Sequence, residues 1–304
     1  TPYITDRFLR SLLKDQADVE ELRSAFLEAQ GPDWYSLREE FSTEQQIYGH
    51  FGNVDDNPHA QAIRDALCKV VQNVLFLPLE GGFVPRISAQ KTYVYESLSA
   101  SEREAFNRIY EDFYYYRHND FWGAEAMKKL PALLDSTGML ACGEDLGMIP
   151  ATVPDVMNDL KILSLEIQRM PKSITEEFAK PANYPYLSVC TTSTHDMNPI
   201  RAWWEEDREV TARFYYNELR GEGDVPYFCE PWVCRTILEQ HLASGAMLTI
   251  LPLQDWLSIS PELRFEDPNK ERINVPANSR HYGRYSTHLT IEQLISEESF
   301  NEDI

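Results

Sequence analysis

Two short polar runs hold the side chains best suited to do chemistry in this sequence. Residues 143–147 read GEDLG and residues 194–196 read THD, and each run follows a short apolar stretch. Carboxyl groups gathered in a partly desolvated cleft repel each other's charge, so one of them can stay protonated near neutral pH and donate a proton. An acid of this kind beside a second carboxylate is the equipment that cleaves a glycosidic bond. We therefore expect Glu144 and Asp196 to be catalytic and His195 to hydrogen-bond a sugar hydroxyl.

The elements that must position these residues are predicted by a repeated order of apolar run, polar loop and helix. The apolar runs are Gly138–Cys142, Ile162–Ile167, Tyr186–Cys190 and Ala246–Leu251, and helical segments such as Pro199–Asn217 and Pro231–Leu242 lie between them. Strands that alternate with helices form parallel sheets, and the catalytic groups of such folds stand at the carboxyl ends of the strands. The pattern predicts an α/β fold with four strand–helix units, which is half of an eight-fold barrel. It also predicts that Glu144 and Asp196 project into the same open end of this barrel.

Structural interpretations compete with these assignments. Asp145 and Thr152 could each act only as the N-cap of the next helix. A third polar strand end, residues 254–256 (QDW), could contact substrate through Gln254 or form hydrogen bonds at the rim of the barrel. The aromatic pairs and runs at 203–204 (WW) and 114–116 (YYY) could be platforms for sugar rings, although a place in the core is favoured for the tyrosines.

The first 110 residues show mostly helical spacing of their apolar side chains. The first helical run is predicted to stop at residues 31–33 (GPD), and residues 75–87 read as two extended pieces around a Gly-Gly turn. A capping box at Ser101–Glu104 predicts a helix that continues to about Asp120. Residues 1–110 are therefore predicted to form a mostly helical module before the barrel half at 111–304.

The composition is that of an ordinary globular protein and excludes several kinds of partner. The chain has 304 residues, 43% of them hydrophobic and 25% charged, and a formal net charge of −21. Nucleic acid and anionic membrane surfaces are poor partners for so negative a protein. Aromatic residues make up 12% of the chain, a surplus of the kind that carbohydrate-binding grooves use for stacking.

The compartment and the processing of the chain are also predicted from the sequence. Five scattered cysteines without CxxC spacing argue against a disulfide framework and favour a reducing, cytoplasmic location. No apolar run reaches the length of a membrane span, and the dispersed histidines show no metal-ligand spacing, so neither metal nor cofactor is expected. Because Thr1 is no natural translation start, we expect the chain to be part of something longer.

The same residues resemble a known family, the 4-α-glucanotransferases of glycoside hydrolase family 77, which are also called amylomaltases or disproportionating enzymes. Residues 143–147 resemble the acid/base motif of that family, 194–196 its Thr-His-Asp motif, and 254–255 and 272–276 (RINVP) its C-terminal signatures. Residues 140–147, 167–171 and 201–207 are similar to the plant cytosolic disproportionating enzymes and their bacterial relatives, which carry a long insertion.

This resemblance implies a fold, a reaction and the roles of several residues. The fold would be a decorated (β/α)8 TIM barrel, with residues 1–110 as the insertion and the rest as its C-terminal half. The reaction would be the retaining transfer of glucosyl units from maltose or another α-1,4-glucan to a glucan such as glycogen, with Glu144 as acid/base, Asp196 stabilising the transition state, and His195, Asp145 and Gln254 binding sugar.

One motif of the family has no match in this sequence. The nucleophilic aspartate, expected in an Arg-x-Asp-His motif, is missing from the 304 residues, so this polypeptide alone is predicted to be inactive. The alternatives are a hydrolase of the α-amylase group and a non-catalytic fragment that only binds glucan. The sequence makes no prediction of the oligomeric state.

Overall fold

The protein is described by a computed structural model that covers residues 2–147, 149–173, 175–278, 281, 283 and 285–304. The chain divides into two compact units, residues 1–119 and residues 120–304. Within the described residues, no helix is both long enough and apolar enough to span a membrane.

The first unit combines helices with two small antiparallel sheets. Its helices are α1 (Asp6–Leu12), α2 (Gln16–Phe26), α3 (Glu44–Phe51), α4 (Pro58–Val71), α5 (Tyr93–Ser97) and α6 (Ala100–Glu111). Its strands are β1 (Ile4–Thr5), β2 (Leu27–Ala29), β3 (Trp34–Leu37), β4 (Phe76–Leu79) and β5 (Gly82–Pro85). The strand orders are β1-β3-β2 and β4-β5. The core of this unit is built from the apolar faces of α1 to α4, including the fully buried Leu9, Leu22, Ile47 and Leu67.

Of three predictions for this region, two change in detail and one is confirmed. The helix predicted to reach Gly31 ends at Phe26, because the backbone turns extended at Leu27 and residues 27–37 pair as β2 and β3. The two extended pieces around the Gly-Gly turn are confirmed as β4 and β5. The capping box that begins α6 is Ser99 with Glu102, two residues before the predicted pair.

The aromatic run at 114–116 does not belong to the core as predicted. It lies in a π-helical turn, Asp112–Arg117, after which α7 (His118–Asp135) extends beyond the predicted end near Asp120. Tyr115 and Tyr116 are 52% and 68% exposed. Successive helical residues point roughly 100° apart, so three in a row cannot share one buried face.

The second unit is built around a parallel sheet. Its strands are β6 (Ser164–Ile167), β7 (Ser188–Thr191) and β8 (Leu248–Thr249), in that order across the sheet. Glu166 pairs with Cys190, and Cys190 pairs with Thr249. A parallel bridge from Cys142 to Leu163 adds a fourth segment beside β6. The four predicted runs therefore lie side by side, in chain order and parallel, as expected for an α/β fold.

Between β6 and β7 the described residues form only a 3₁₀ turn, Pro181–Asn183. The α-helices of this unit after α7 lie before β6, between β7 and β8, or after β8. They are α8 (Val153–Asp159), α9 (Ile200–Glu206), α10 (Arg208–Asn217), α11 (Pro231–Leu242), α12 (Leu253–Leu257), α13 (Ile291–Ser296) and α14 (Glu298–Asp303). The predicted helix Pro231–Leu242 is confirmed, whereas the one predicted over Pro199–Asn217 is two helices. The break falls at Asp207, whose backbone is extended and whose carboxylate caps α10. Trp204 and Phe214 are fully buried between α9, α10 and α11.

Candidate functional site

Glu144 lies two residues beyond Cys142, at the carboxyl end of the first parallel segment. Its side chain is exposed, and its carboxylate accepts a hydrogen bond of 3.2 Å from the backbone N–H of Leu146. Glu144 lines a cavity of about 320 Å³ together with mostly apolar side chains, among them Trp122, Leu130, Val153 and Met157. The carboxyl group therefore combines access from solvent with an apolar surface on one side, which suits a proton donor.

Asp145, the next residue, is buried and its carboxylate is already bonded. One oxygen accepts the backbone N–H of Leu165 at 2.9 Å, and the other accepts Lys172 Nζ at 2.7 Å. Lys172 also donates to Glu166 Oε1 at 2.7 Å. These bonds pin the Glu144 segment to β6, which favours a positioning role for Asp145. Its predicted contact with sugar stays a prediction.

Asp196 follows β7 and is exposed, and a distant part of the chain holds its carboxylate. Asn274 Nδ2 donates to Asp196 Oδ1 at 2.5 Å, and His195 Nε2 lies 3.4 Å from Asp196 Oδ2. The backbone N–H of Asn274 also donates to the carbonyl of His195 at 3.0 Å. Arg272 donates to the carbonyl of Asp196 at 3.4 Å. The segment 272–276, which the sequence marks only as a motif, thus fixes the orientation of Asp196.

The loop that carries Asp196 is held by Arg169, which the sequence analysis left without a role. Arg169 follows β6 and donates to the carbonyls of Thr192 and Asn198, both at 2.8 Å. Its guanidinium lies 4.9 Å from the ring centroid of Trp203. Burial lowers the pKa of Arg169 to about 10, so it is still charged at neutral pH. The signal in the sequence is a charged residue two positions after a predicted strand.

Residues 254–256, which the sequence predicts as a third polar strand end, lie in α12, and two of their side chains are hydrogen-bonded within the protein. Asp255 is fully buried and accepts hydrogen bonds from the Thr192 hydroxyl at 2.5 Å and the Ile200 N–H at 2.9 Å. Burial raises the pKa of Asp255, and these hydrogen bonds partly oppose that effect. Gln254 is buried as well and donates to the carbonyl of Glu271 at 3.2 Å. Its predicted sugar contact stays a prediction.

Glu271 is a buried carboxyl group on the same side of the site. Arg201 Nη1 lies 3.4 Å from Glu271 Oε2, and the backbone N–H of Phe265 donates to Oε1 at 3.4 Å. Burial raises the pKa of Glu271 to about 7, although the positive charge of Arg201 opposes the shift.

This raised pKa predicts a pH-dependent stability. Folded Glu271 binds its proton up to about pH 7, whereas an unfolded glutamate ionises near 4.5. Its contribution is therefore complete below pH 4.5 and is lost as the pH rises to about 7. We expect the free energy of unfolding, relative to that of Glu271→Gln, to fall by roughly 3 kcal/mol across this range. Urea unfolding followed by tryptophan fluorescence measures the difference. The prediction would be wrong if the free energy of unfolding changed equally with pH in the parent and in Glu271→Gln.

The structure brings the carboxyl ends of the predicted strands to one edge of the sheet. Glu144 and Asp196 follow segments that flank β6 on either side. Neighbouring strands are roughly 4.8 Å apart, so these two strand ends are on the order of 10 Å apart. Among the described residues, no group of three or more His, Cys, Asp or Glu side chains is arranged to hold a metal ion. The side chains that follow the two segments include the carboxyl groups of Glu144 and Asp196 and the imidazole of His195, and the amide of Asn274 binds Asp196.

Comparison with known proteins finds sequence similarity to 4-alpha-glucanotransferases. The rice (Oryza sativa subsp. japonica) protein 4-alpha-glucanotransferase DPE2 is 35% identical over 92% of this chain, which covers 30% of that protein. The 4-alpha-glucanotransferase of Chlamydia muridarum is 30% identical over 57% of this chain and 33% of its own length. The chain thus spans about a third of the length of these relatives.

A solved structure and a family model also match. The amylomaltase from Streptococcus agalactiae in complex with acarbose has a TM-score of 0.42 and 22% sequence identity, covering 57% of this chain and 32% of that one. The model of the glycoside hydrolase 77 family, described as 4-alpha-glucanotransferase, matches residues 35–290. Because this match covers most of the sequence, the chain belongs to the 4-alpha-glucanotransferase family.

Proposed function

We propose that this chain supplies the acid/base part of the active site of a 4-α-glucanotransferase. The observation that carries the proposal is the position of Glu144 and Asp196, beyond the carboxyl ends of two segments of one parallel sheet. Catalytic groups of α/β barrels stand at this end of the strands. The donor would be maltose or another α-1,4-glucan, and the acceptor a glycogen-like glucan in the cytoplasm.

The reaction is a retaining double displacement in which Glu144 acts twice. As the acid, Glu144 gives its proton to the departing glycosidic oxygen while an aspartate nucleophile forms a bond to the anomeric carbon. The Glu144 carboxylate then takes the proton of the acceptor's 4-hydroxyl, whose oxygen displaces the aspartate. The cavity beside Glu144 places apolar surface near the reacting proton. Transfer is favoured over hydrolysis when the bound acceptor excludes water from this exposed carboxyl group.

Asp196 stabilises the positive charge that develops on the distorted sugar ring. Its hydrogen bond from Asn274 and its neighbour His195 support this role, because both fix the direction of the carboxylate before substrate binds. His195 is itself exposed and available to a sugar hydroxyl.

Asn274 is therefore proposed to position Asp196. A hydrogen bond to a charged group contributes about 1.5–3 kcal/mol, so we expect Asn274→Ala to lower kcat roughly tenfold, with a smaller change in KM. Asn274→Asp should lower kcat further, because a second negative charge would face Asp196 at hydrogen-bond distance. Steady-state kinetics of glucosyl transfer measure both variants, and equal kcat values for Asn274→Ala and the parent would contradict the positioning role.

The parallel sheet is proposed to be half of a (β/α)8 barrel, formed by residues 111–304 after the helical insertion of residues 1–110. Thr249 faces α11, where its hydroxyl donates to the carbonyl of His241 at 3.3 Å. Side chains alternate along a strand, so Leu248 and Ile250 lie on the opposite face. They are 38% and 60% exposed, although parallel sheets are normally covered on both faces. Further barrel strands would cover this apolar surface.

The 304-residue polypeptide is proposed to be inactive by itself, because it lacks a match to the nucleophile motif. The test incubates this polypeptide with maltose and glycogen, beside the natural polypeptide that contains these residues. We expect transfer products only from the second sample, with the number of reducing ends conserved. Transfer by the 304 residues alone would refute the prediction that the nucleophile lies outside them. A net gain of reducing ends would indicate a hydrolase.

A further inference from the structure

The first unit contains a basic cavity in a chain that is otherwise strongly acidic. The cavity has a volume of about 400 Å³, and three cationic side chains, Lys69, Arg86 and Lys91, contribute to its lining. The chain as a whole carries a formal charge of −21. Three cationic side chains at one hollow of an acidic chain favour a negatively charged ligand there.

The protein does not provide that charge through ion pairs. Some arginines of the first unit bind carboxylates, as Arg10 does with Asp6 and Arg64 with Asp65. Across the part of the chain that the structure describes, no carboxylate oxygen lies within 4.0 Å of a side-chain nitrogen of the three cavity cations. One acid comes near the cavity indirectly, because Gln72, another lining residue, donates to Glu44 Oε1 at 2.6 Å. Even with Glu44 included, the formal charge is about +2 near neutral pH.

The rest of the lining offers an apolar surface and a hydroxyl. The ring of Tyr93 stacks on Phe8 with centroids 4.9 Å apart and planes inclined by 18°. Both rings line the cavity, and Ser88 lines it as well. Neither ring carries charge that would oppose an anion.

We propose that this cavity binds a phosphate group, either as the free ion or as a phosphate monoester. A phosphate monoester carries about −1.5 to −2 charges at neutral pH and has three acceptor oxygens, which matches three cationic donors and a net charge near +2. Lysine and arginine nitrogens are the usual partners of such oxygens. The site lies within residues 1–119, whereas Glu144 and Asp196 belong to the other unit.

The test is isothermal titration calorimetry of the whole 304-residue chain at about 0.1 M ionic strength, where the Debye length is about 10 Å. Three probes are used, namely inorganic phosphate, glucose 6-phosphate and glucose. We expect both phosphates to bind at a single site and glucose not to bind. Tighter binding of glucose 6-phosphate identifies a monoester as the preferred source, and equal or tighter binding of inorganic phosphate identifies the free ion. Absence of binding by both phosphates at about 10 mM would overturn the proposal.

Matched variants separate a built site from general charge attraction. Lys69→Gln combined with Lys91→Gln should weaken phosphate binding at least about tenfold, because charge-assisted hydrogen bonds are lost. Arg7→Gln combined with Lys14→Gln removes the same charge from exposed residues of the same unit and should leave the affinity within about twofold. Both lysines of the cavity are exposed, so the fold should persist, and circular dichroism checks this. Equal affinities for the two double variants would refute the site.

Discussion

Glu144→Gln is expected to lower the rate of glucosyl transfer from maltose to glycogen by about 10²- to 10⁴-fold, because an amide can neither give nor take the proton. The glutamine oxygen can still accept the hydrogen bond from Leu146, so the fold and KM should change little. A donor with a 4-nitrophenyl leaving group needs no proton to depart. With that donor the release of 4-nitrophenol in the first step should fall much less, which distinguishes a lost acid from a distorted site.

The matched control for this substitution is Glu222→Gln, which removes an exposed carboxylate from a loop of the same unit. It should leave transfer unchanged. The assays use the natural polypeptide that contains these residues, since the 304-residue chain is expected to be inactive. Near-native turnover of maltose by Glu144→Gln would remove Glu144 from the mechanism while leaving the family assignment intact.

Asp196→Asn is expected to lower kcat by about 10²- to 10³-fold, because the negative charge that faces the developing positive ring is lost. The shape of the side chain is kept, and its amide oxygen can still accept from Asn274. The loss should therefore fall on kcat more than on KM, since the interaction strengthens in the transition state.

Asp224→Asn serves as the control, because Asp224 is exposed in the loop before α11. It should leave both constants unchanged. If Asp196→Asn instead raised KM with kcat unaltered, Asp196 would bind the ground state of the sugar and the proposed stabilisation would be wrong.

Much of the fold could be predicted because its signals are local. The extended pieces β4 and β5 flank a Gly-Gly turn, and the helix Pro231–Leu242 begins at a proline and shows continuous helical spacing. Parallel pairing followed from the alternation of apolar runs with helices, which restricts how the chain can return to the sheet. The errors lie where two local signals compete, as at Asp207, where a cap interrupts an otherwise helical stretch.

The sequence by itself determined the family, the parallel order of the four segments and the positions of Glu144 and Asp196 after two of them, because motifs and periodicity are written in neighbouring residues. Only the tertiary structure decided which side chains hold these acids in place. Asn274 meets Asp196 from 78 residues away, Lys172 reaches Asp145 across 27, and Asp255 binds Thr192 across 63. Such contacts depend on how whole elements pack and leave no periodic trace in the sequence, so they become visible only when the chain is folded.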